Sequence, residues 1–169
     1  MRHKIVSTLM AVCLLVSMYY LAGTAAQYTM SLQKERKIVI IDAGHGGDDP
    51  GKVGINGALE KDINLAIAFL IKKYLEQQDV TVVMTRNSDA GLYRAESPNK
   101  KIEDLKNRLA VIEASGAVLA VSIHQNSYTS EKVSGAQVFY YESSEEGGKA
   151  AELMQQQLRK GVDESNDRE

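Results

Sequence analysis

The chain has 169 residues, 20 Lys and Arg against 22 Asp and Glu, a net charge of −2, and 44% hydrophobic residues. That length suits one domain with a real core, and the composition argues against disorder. The basic residues do not cluster, so no nucleic-acid footprint is present.

The first 26 residues stand apart. Arg2, His3 and Lys4 give a basic start, Ile5 to Leu21 is apolar and uncharged, and Leu21 to Ala26 is rich in small residues. This is the layout of a secretory signal with a cut expected after Ala26; an uncleaved N-terminal membrane anchor is the alternative. Either way the rest of the chain is expected outside the cytoplasm. Thr24 stands where a lipoprotein signal would need cysteine, so lipidation is not expected. Cys13, the only cysteine, lies inside the apolar run, which leaves the remainder without disulfide or thiolate chemistry. The remainder keeps two histidines, His45 and His124.

Residues 27–36 are polar and read as a linker. Ile38-Val39-Ile40-Ile41 predicts a buried strand over 37–42, the middle strand of a sheet. It breaks into Asp42-Ala43-Gly44-His45-Gly46-Gly47-Asp48-Asp49-Pro50-Gly51, too glycine-rich for a helix and too acidic for a core. The strand therefore delivers a polar loop at its carboxyl end, where open α/β sheets bind ligands. From Ala58 to about Gln77 the spacing of Leu59, Ile63, Ala66, Ile67, Leu70, Ile71 and Tyr74 predicts a helix with one buried face, with Glu60 in its first turn. The plain reading of a first-turn Glu is compensation of the helix dipole.

Val80 to Thr85 predicts a second strand, followed by a polar loop over 87–99. Ile102, Leu105, Leu109 and Ile112 mark a second helix that stops near Gly116. Ala117 to Ile123 is apolar almost throughout and predicts a third, central strand that ends directly in His124-Gln125-Asn126-Ser127. Ala136 to Tyr141 predicts a fourth strand, and Ser143 with Glu146 a capping box for a third helix carrying Ala150, Met154 and Leu158. The alternation predicts an α/β fold: a layered, mostly parallel sheet flanked by helices. The acidic stretch 163–169 offers no closing strand or helix, so the domain over 37–169 is read as truncated at the C-terminus.

Both remaining histidines follow the carboxyl ends of predicted strands. If those strands are parallel neighbours, both imidazoles share one rim, within reach of Glu60. Two neutral imidazoles and one carboxylate make a catalytic zinc shell with a position left for water. Asp42 or a backbone carbonyl would orient an imidazole from behind. The spacing His45, Glu60, His124 matches no short zinc motif. A serine hydrolase is excluded by the lack of a Gly-x-Ser-x-Gly elbow, and a phosphate-binding P-loop by the lack of a Gly-Lys-Ser/Thr sequence.

These residues resemble the zinc-dependent N-acetylmuramoyl-L-alanine amidases of bacterial cell walls, the amidase 3 family. The likeness runs through Ile41 to Gly51, Leu59-Glu60-Lys61-Asp62, Met84-Thr85-Arg86 with Asp89, Asp104 to Leu109, Ser122-Ile123-His124-Gln125-Asn126-Ser127 and Ser134 to Gln137. It covers the chain from Lys37 onward, and is nearest the germination-specific, spore-cortex branch. It implies His45, Glu60 and His124 as ligands of Zn2+, peptidoglycan as substrate, hydrolysis of the amide between N-acetylmuramic acid and L-alanine, and a place in sporulation and germination. The family's general base is a glutamate in a C-terminal Val/Ile-Glu-x-Gly-Phe motif. No such motif occurs here, neither Glu164 nor Glu169 is assigned that role, and no catalytic base is named. Without a base, proton transfer should lose about 10²–10⁴-fold, so residues 27–169 alone are expected to be inactive and poorly folded. Two other readings stay open. One is a non-catalytic module that binds the wall or an accessory protein; the other is a different exported zinc hydrolase such as a deacetylase. Arg86, Arg108 and Asn126 stand near the rim, as substrate contacts or as structural bonds.

Overall fold

The computed structural model describes residues 2–34, 37–130 and 133–168. Two compact units divide at Gln125.

The first unit opens with helix α1, Arg2–Lys34, which runs through most of the stretch expected as linker. Over His3–Thr29 it is long and apolar enough to cross a membrane, with none of that window buried, which fits a signal peptide or an anchor.

The rest of this unit is a three-stranded parallel sheet in the order β2-β1-β3, built from β1 Ile38–Ala43, β2 Thr81–Met84 and β3 Leu119–Ile123. Helix α2, Glu60–Glu76, links β1 to β2, and α3, Lys100–Ala114, links β2 to β3. The expected α/β alternation is therefore present, with β1 in the middle. Ile38 pairs with Thr81 on one side and Ala43 with Ile123 on the other. Side chains alternate along β1. Ile41 and Ala43 pack with Val82, Met84 and Ala68, flanked by Leu65, Ile71 and Leu75 of α2. Asp42 points to the opposite face, where α3 supplies Arg108.

Three expectations about these elements need correction. The face of α2 on the sheet is Asn64, Leu65, Ala68, Ile71 and Leu75, whereas Ile63, Leu70 and Tyr74 are exposed. Asn64, fully buried, is the polar member that apolar spacing passes over. On α3 the stripe Ile102, Leu105 and Leu109 is exposed, and Arg108 is the buried residue. The apolar strand β3 lies at an edge of the described sheet, because β1 takes both neighbours. An apolar run alone does not separate an edge strand from a central one.

The second unit, 126–169, carries α4, Glu145–Gly161. Its N-cap is Ser144, which accepts from the Gly147 N–H; the cap therefore falls one residue after the expected Ser143. Residues 136–141 form no ladder among the described residues. Side chains meet two of the segment's backbone groups. Gln155 accepts from the Val138 N–H and donates to the Ala136 carbonyl, which Asn166 also caps.

Candidate metal centre

The site lies where β1 and β3 end together. Ala43 pairs with Ile123, and the Gly44 N–H donates to the Ile123 carbonyl at 3.1 Å. The next residues on each strand deliver His45 and His124 to one rim. Their rings lie 4.9 Å apart, edge to face at 81°.

Glu60 enters from α2. Its helix begins without a side-chain cap. The first N–H groups are met by the loop instead: Glu60 N–H donates to the Lys52 carbonyl at 2.9 Å and Lys61 N–H to the Pro50 carbonyl at 3.1 Å. This folds residues 50–52 against the helix start. Gly51 sits at φ +68°, and a Cβ there would stand 2.7 Å from His45 and 2.8 Å from Glu60. Only glycine lets the loop close on both side chains.

The three side chains converge. Glu60 Oε1 lies 3.2 Å from His45 Nε2 and 3.2 Å from His124 Nδ1. One donor atom from each of the three falls within 4.8 Å of the others. Ligands about 2.0–2.1 Å from a tetrahedral zinc stand about 3.3 Å apart, so both measured edges have the right length. Glu60 is 4% exposed, while the His124 side chain is 48% exposed. The group is therefore anchored inside and open on the His124 side.

Glu60 does more than face its own helix dipole. It accepts from the Lys52 and Gln125 N–H groups, each at 2.8 Å. Burial pushes its carboxyl up, but these two N–H donors and the neighbouring His45 outweigh that and hold it below its ordinary value. It is an anion at neutral pH.

The group behind His45 is Asp49. His45 Nδ1 lies 2.9 Å from Asp49 Oδ2, and Asp49 Oδ1 accepts from the Gly51 N–H at 3.1 Å. An Nδ1–H donated to this carboxylate leaves Nε2 with its lone pair free to bind a metal, on the side of Glu60. Asp42, the side-chain alternative to a backbone carbonyl for that role, bonds elsewhere. Its carboxylate accepts from Thr85 at 2.7 Å, Ser122 at 2.6 Å and Arg108 at 2.7 Å. Asp49 reaches back to His45 because the left-handed turn there and the Gly46–Asp49 main-chain hydrogen bonds fold the loop on itself, which the sequence does not show.

Arg86 and Arg108 are 3% and 4% exposed, so the structural reading of both holds and substrate contact does not. Asn64, missed from the sequence, donates to the Gly44 carbonyl at 3.2 Å and accepts from the Gln125 amide at 3.1 Å. Asn126 belongs to the second unit.

Fold and site together define a parallel α/β domain with a two-histidine, one-carboxylate cluster at its carboxyl rim. The chain belongs to the amidase 3 family, N-acetylmuramoyl-L-alanine amidases, whose family model matches residues 39–169. It is 43% identical over 136 residues to the germination-specific N-acetylmuramoyl-L-alanine amidase of Bacillus subtilis (strain 168), covering 79% of this chain and 57% of that relative. The CwlD amidase from Clostridioides difficile, solved in complex with the GerS lipoprotein, superposes with a TM-score of 0.76 at 39% identity, covering 79% of this chain and 71% of that one. The catalytic domain of CwlV, an N-acetylmuramoyl-L-alanine amidase from Bacillus (Paenibacillus) polymyxa, gives a TM-score of 0.59 at 37% identity, covering 71% and 61%.

Proposed function

We propose that this domain is a zinc-dependent peptidoglycan amidase, cleaving the amide between N-acetylmuramic acid and L-alanine, with His45, Glu60 and His124 as the metal ligands. The observation that carries the reading is the convergence of these three side chains on one rim with two 3.2 Å edges. Two imidazoles and one carboxylate fit zinc and leave a coordination position free, as a catalytic site requires. Bound there, zinc would polarise an amide carbonyl and acidify water. The chain's own residues set that up: Asp49 fixes the His45 tautomer, Glu60 is held anionic by two N–H groups, and the exposed His124 side marks where substrate would approach.

The apolar N-terminal helix supports an exported setting at the cell envelope, and the likeness to the germination-specific relative supports the spore cortex. An accessory lipoprotein, the kind of partner with which the Clostridioides difficile amidase was solved, belongs to the same proposal.

The test uses protein isolated from its own cells. Metal analysis should find about one zinc per chain, and digestion of peptidoglycan should expose the α-amine of L-alanine on released stem peptides. His45→Ala, Glu60→Gln and His124→Ala should each lose the zinc and bring release below detection. Wild-type turnover in any of the three would sink the assignment, and release of acetate with a free sugar amine would move it to a deacetylase.

A smaller effect is expected behind the ligands. Asp49→Ala should weaken zinc binding about 10–100-fold in a chelator competition, the range for a group that orients a ligand. Unchanged affinity would mean that Asp49 does not orient His45.

A further inference from the structure

Arg86 and Arg108 are the most deeply placed cations beside the rim. Arg108 bonds two carboxylates, Asp42 at 2.7 Å and Asp104 at 2.5 Å. The hydrogen bonds of Arg86 go to main-chain carbonyls: Ala43 at 2.8 Å, Gly44 at 3.1 Å, Lys61 at 2.7 Å and Ser88 at 3.0 Å. A buried cation is costly unless its donors are used, so this placement asks for a purpose.

The acceptors show a pattern. Arg108 also donates to the Ala43 carbonyl at 2.8 Å and the His45 carbonyl at 2.6 Å. Three successive carbonyls, those of residues 43, 44 and 45, are thus held by two guanidinium groups. These are the residues at which β1 ends and the chain turns. His45 itself sits at φ +63°, the left-handed region that L-residues with a Cβ avoid. A histidine in that conformation persists only where the surroundings over-determine it.

We propose that Arg86 and Arg108 are a positioning pair that fixes the carbonyls of residues 43–45, holds His45 left-handed, and so aims its Nε2 at Glu60 before a metal binds. The inference rests on the metal-site reading above. It assigns both arginines an effect on metal affinity that bonds serving stability alone would not have.

Lysine keeps the charge but loses the planar fork that reaches several acceptors at once. In the full chain purified in detergent, Arg108→Lys should keep its far-UV circular dichroism and a cooperative melt. Its zinc affinity should fall about tenfold or more, and the visible absorption of the Co2+-loaded protein should shift. In the metal-free wild type, the amide–Hα coupling and Cα shift of His45 should already report a positive φ and stay the same when zinc is added.

Arg108→Lys with wild-type zinc affinity and cobalt spectrum would overturn the inference, provided His45→Ala, measured beside it, has lost zinc. A His45→Ala chain that still binds zinc at wild-type affinity would instead overturn the metal site, and this inference with it. If Arg108→Lys does not fold, the His45 measurement on wild type decides: a φ that becomes positive only with zinc rejects positioning.

Discussion

Alanine at position 44 should empty the metal centre while leaving the fold nearly untouched. A Cβ on Gly44 would stand 2.7 Å from His124 Nδ1 and nearer still to the Cε1 and Nε2 of that ring. Gly44 is not among the residues at positive φ, so the backbone itself accepts alanine. What must move is the imidazole, and its 48% exposed side chain can swing toward solvent at little cost. Stability should therefore change by less than about 1 kcal/mol, with the reduced freedom of the unfolded chain partly offsetting the loss. If His124 is a ligand, as proposed, zinc affinity should fall beyond the about 10–100-fold typical of a lost outer partner. A melt and a chelator competition on the same preparation would separate the two effects. Intact affinity would show that His124 does not hold the metal.

Asp42→Asn should have the opposite profile, a large loss of stability. Asp42, on β1, ties β3 and the residue that follows β2 to α3, accepting from Ser122, Thr85 and Arg108. An amide has one oxygen for those donors and turns an N–H₂ toward the rest. Breaking a buried pair on one side costs about 3–5 kcal/mol, against a total stability of about 5–15 kcal/mol for ordinary domains.

The pH dependence gives a second reading of the same group. Burial raises the Asp42 carboxyl, but the hydrogen bonds from Ser122, Thr85 and Arg108 together leave it below its ordinary value of 3.8. A folded value below the unfolded one means that the contribution is complete above about pH 4. It is lost as the pH falls through the folded value. Denaturant midpoints at pH 7 and pH 3 should therefore differ less in Asp42→Asn than in wild type. Equal acid sensitivity in the two proteins would show that Asp42 is not held in its charged form by the fold.

The rim was legible in the sequence because it depends on local patterns with few competing explanations. An apolar run that breaks into glycines and carboxylates reads as a strand end, and only two histidines lay beyond α1. Their meeting needed one non-local fact, that β1 and β3 are parallel neighbours, and the register of Ala43 with Ile123 supplies it. The groups behind the ligands were not legible in the same way. Asp42 and Asp49 are the same residue type seven residues apart, one on the end of β1 and one in the loop after it. Which one reaches His45 depends on the left-handed turn at His45, which no composition reveals. Helix faces failed for a related reason. Asn64 is buried because two polar groups need it, and spacing rules count only apolar residues. At 136–141 a strand-like sequence forms no ladder among the described residues, and side chains of Gln155 and Asn166 meet the Val138 N–H and the Ala136 carbonyl.

The tie between Asp42 and Ser122 spans 80 residues of sequence. The entropy of closing so long a loop must be spent before the contact gives any return, so such contacts form late in folding. A rim that exists only when β1 and β3 are aligned inherits that timing. Once the strands have met, slippage is penalised. A shift of one residue would carry Ile123 about 3.3 Å out of line with Ala43 and turn the side chains of the shifted strand to the other face. The distance between His45 and His124 is therefore only as well fixed as the register of the two strands beneath it.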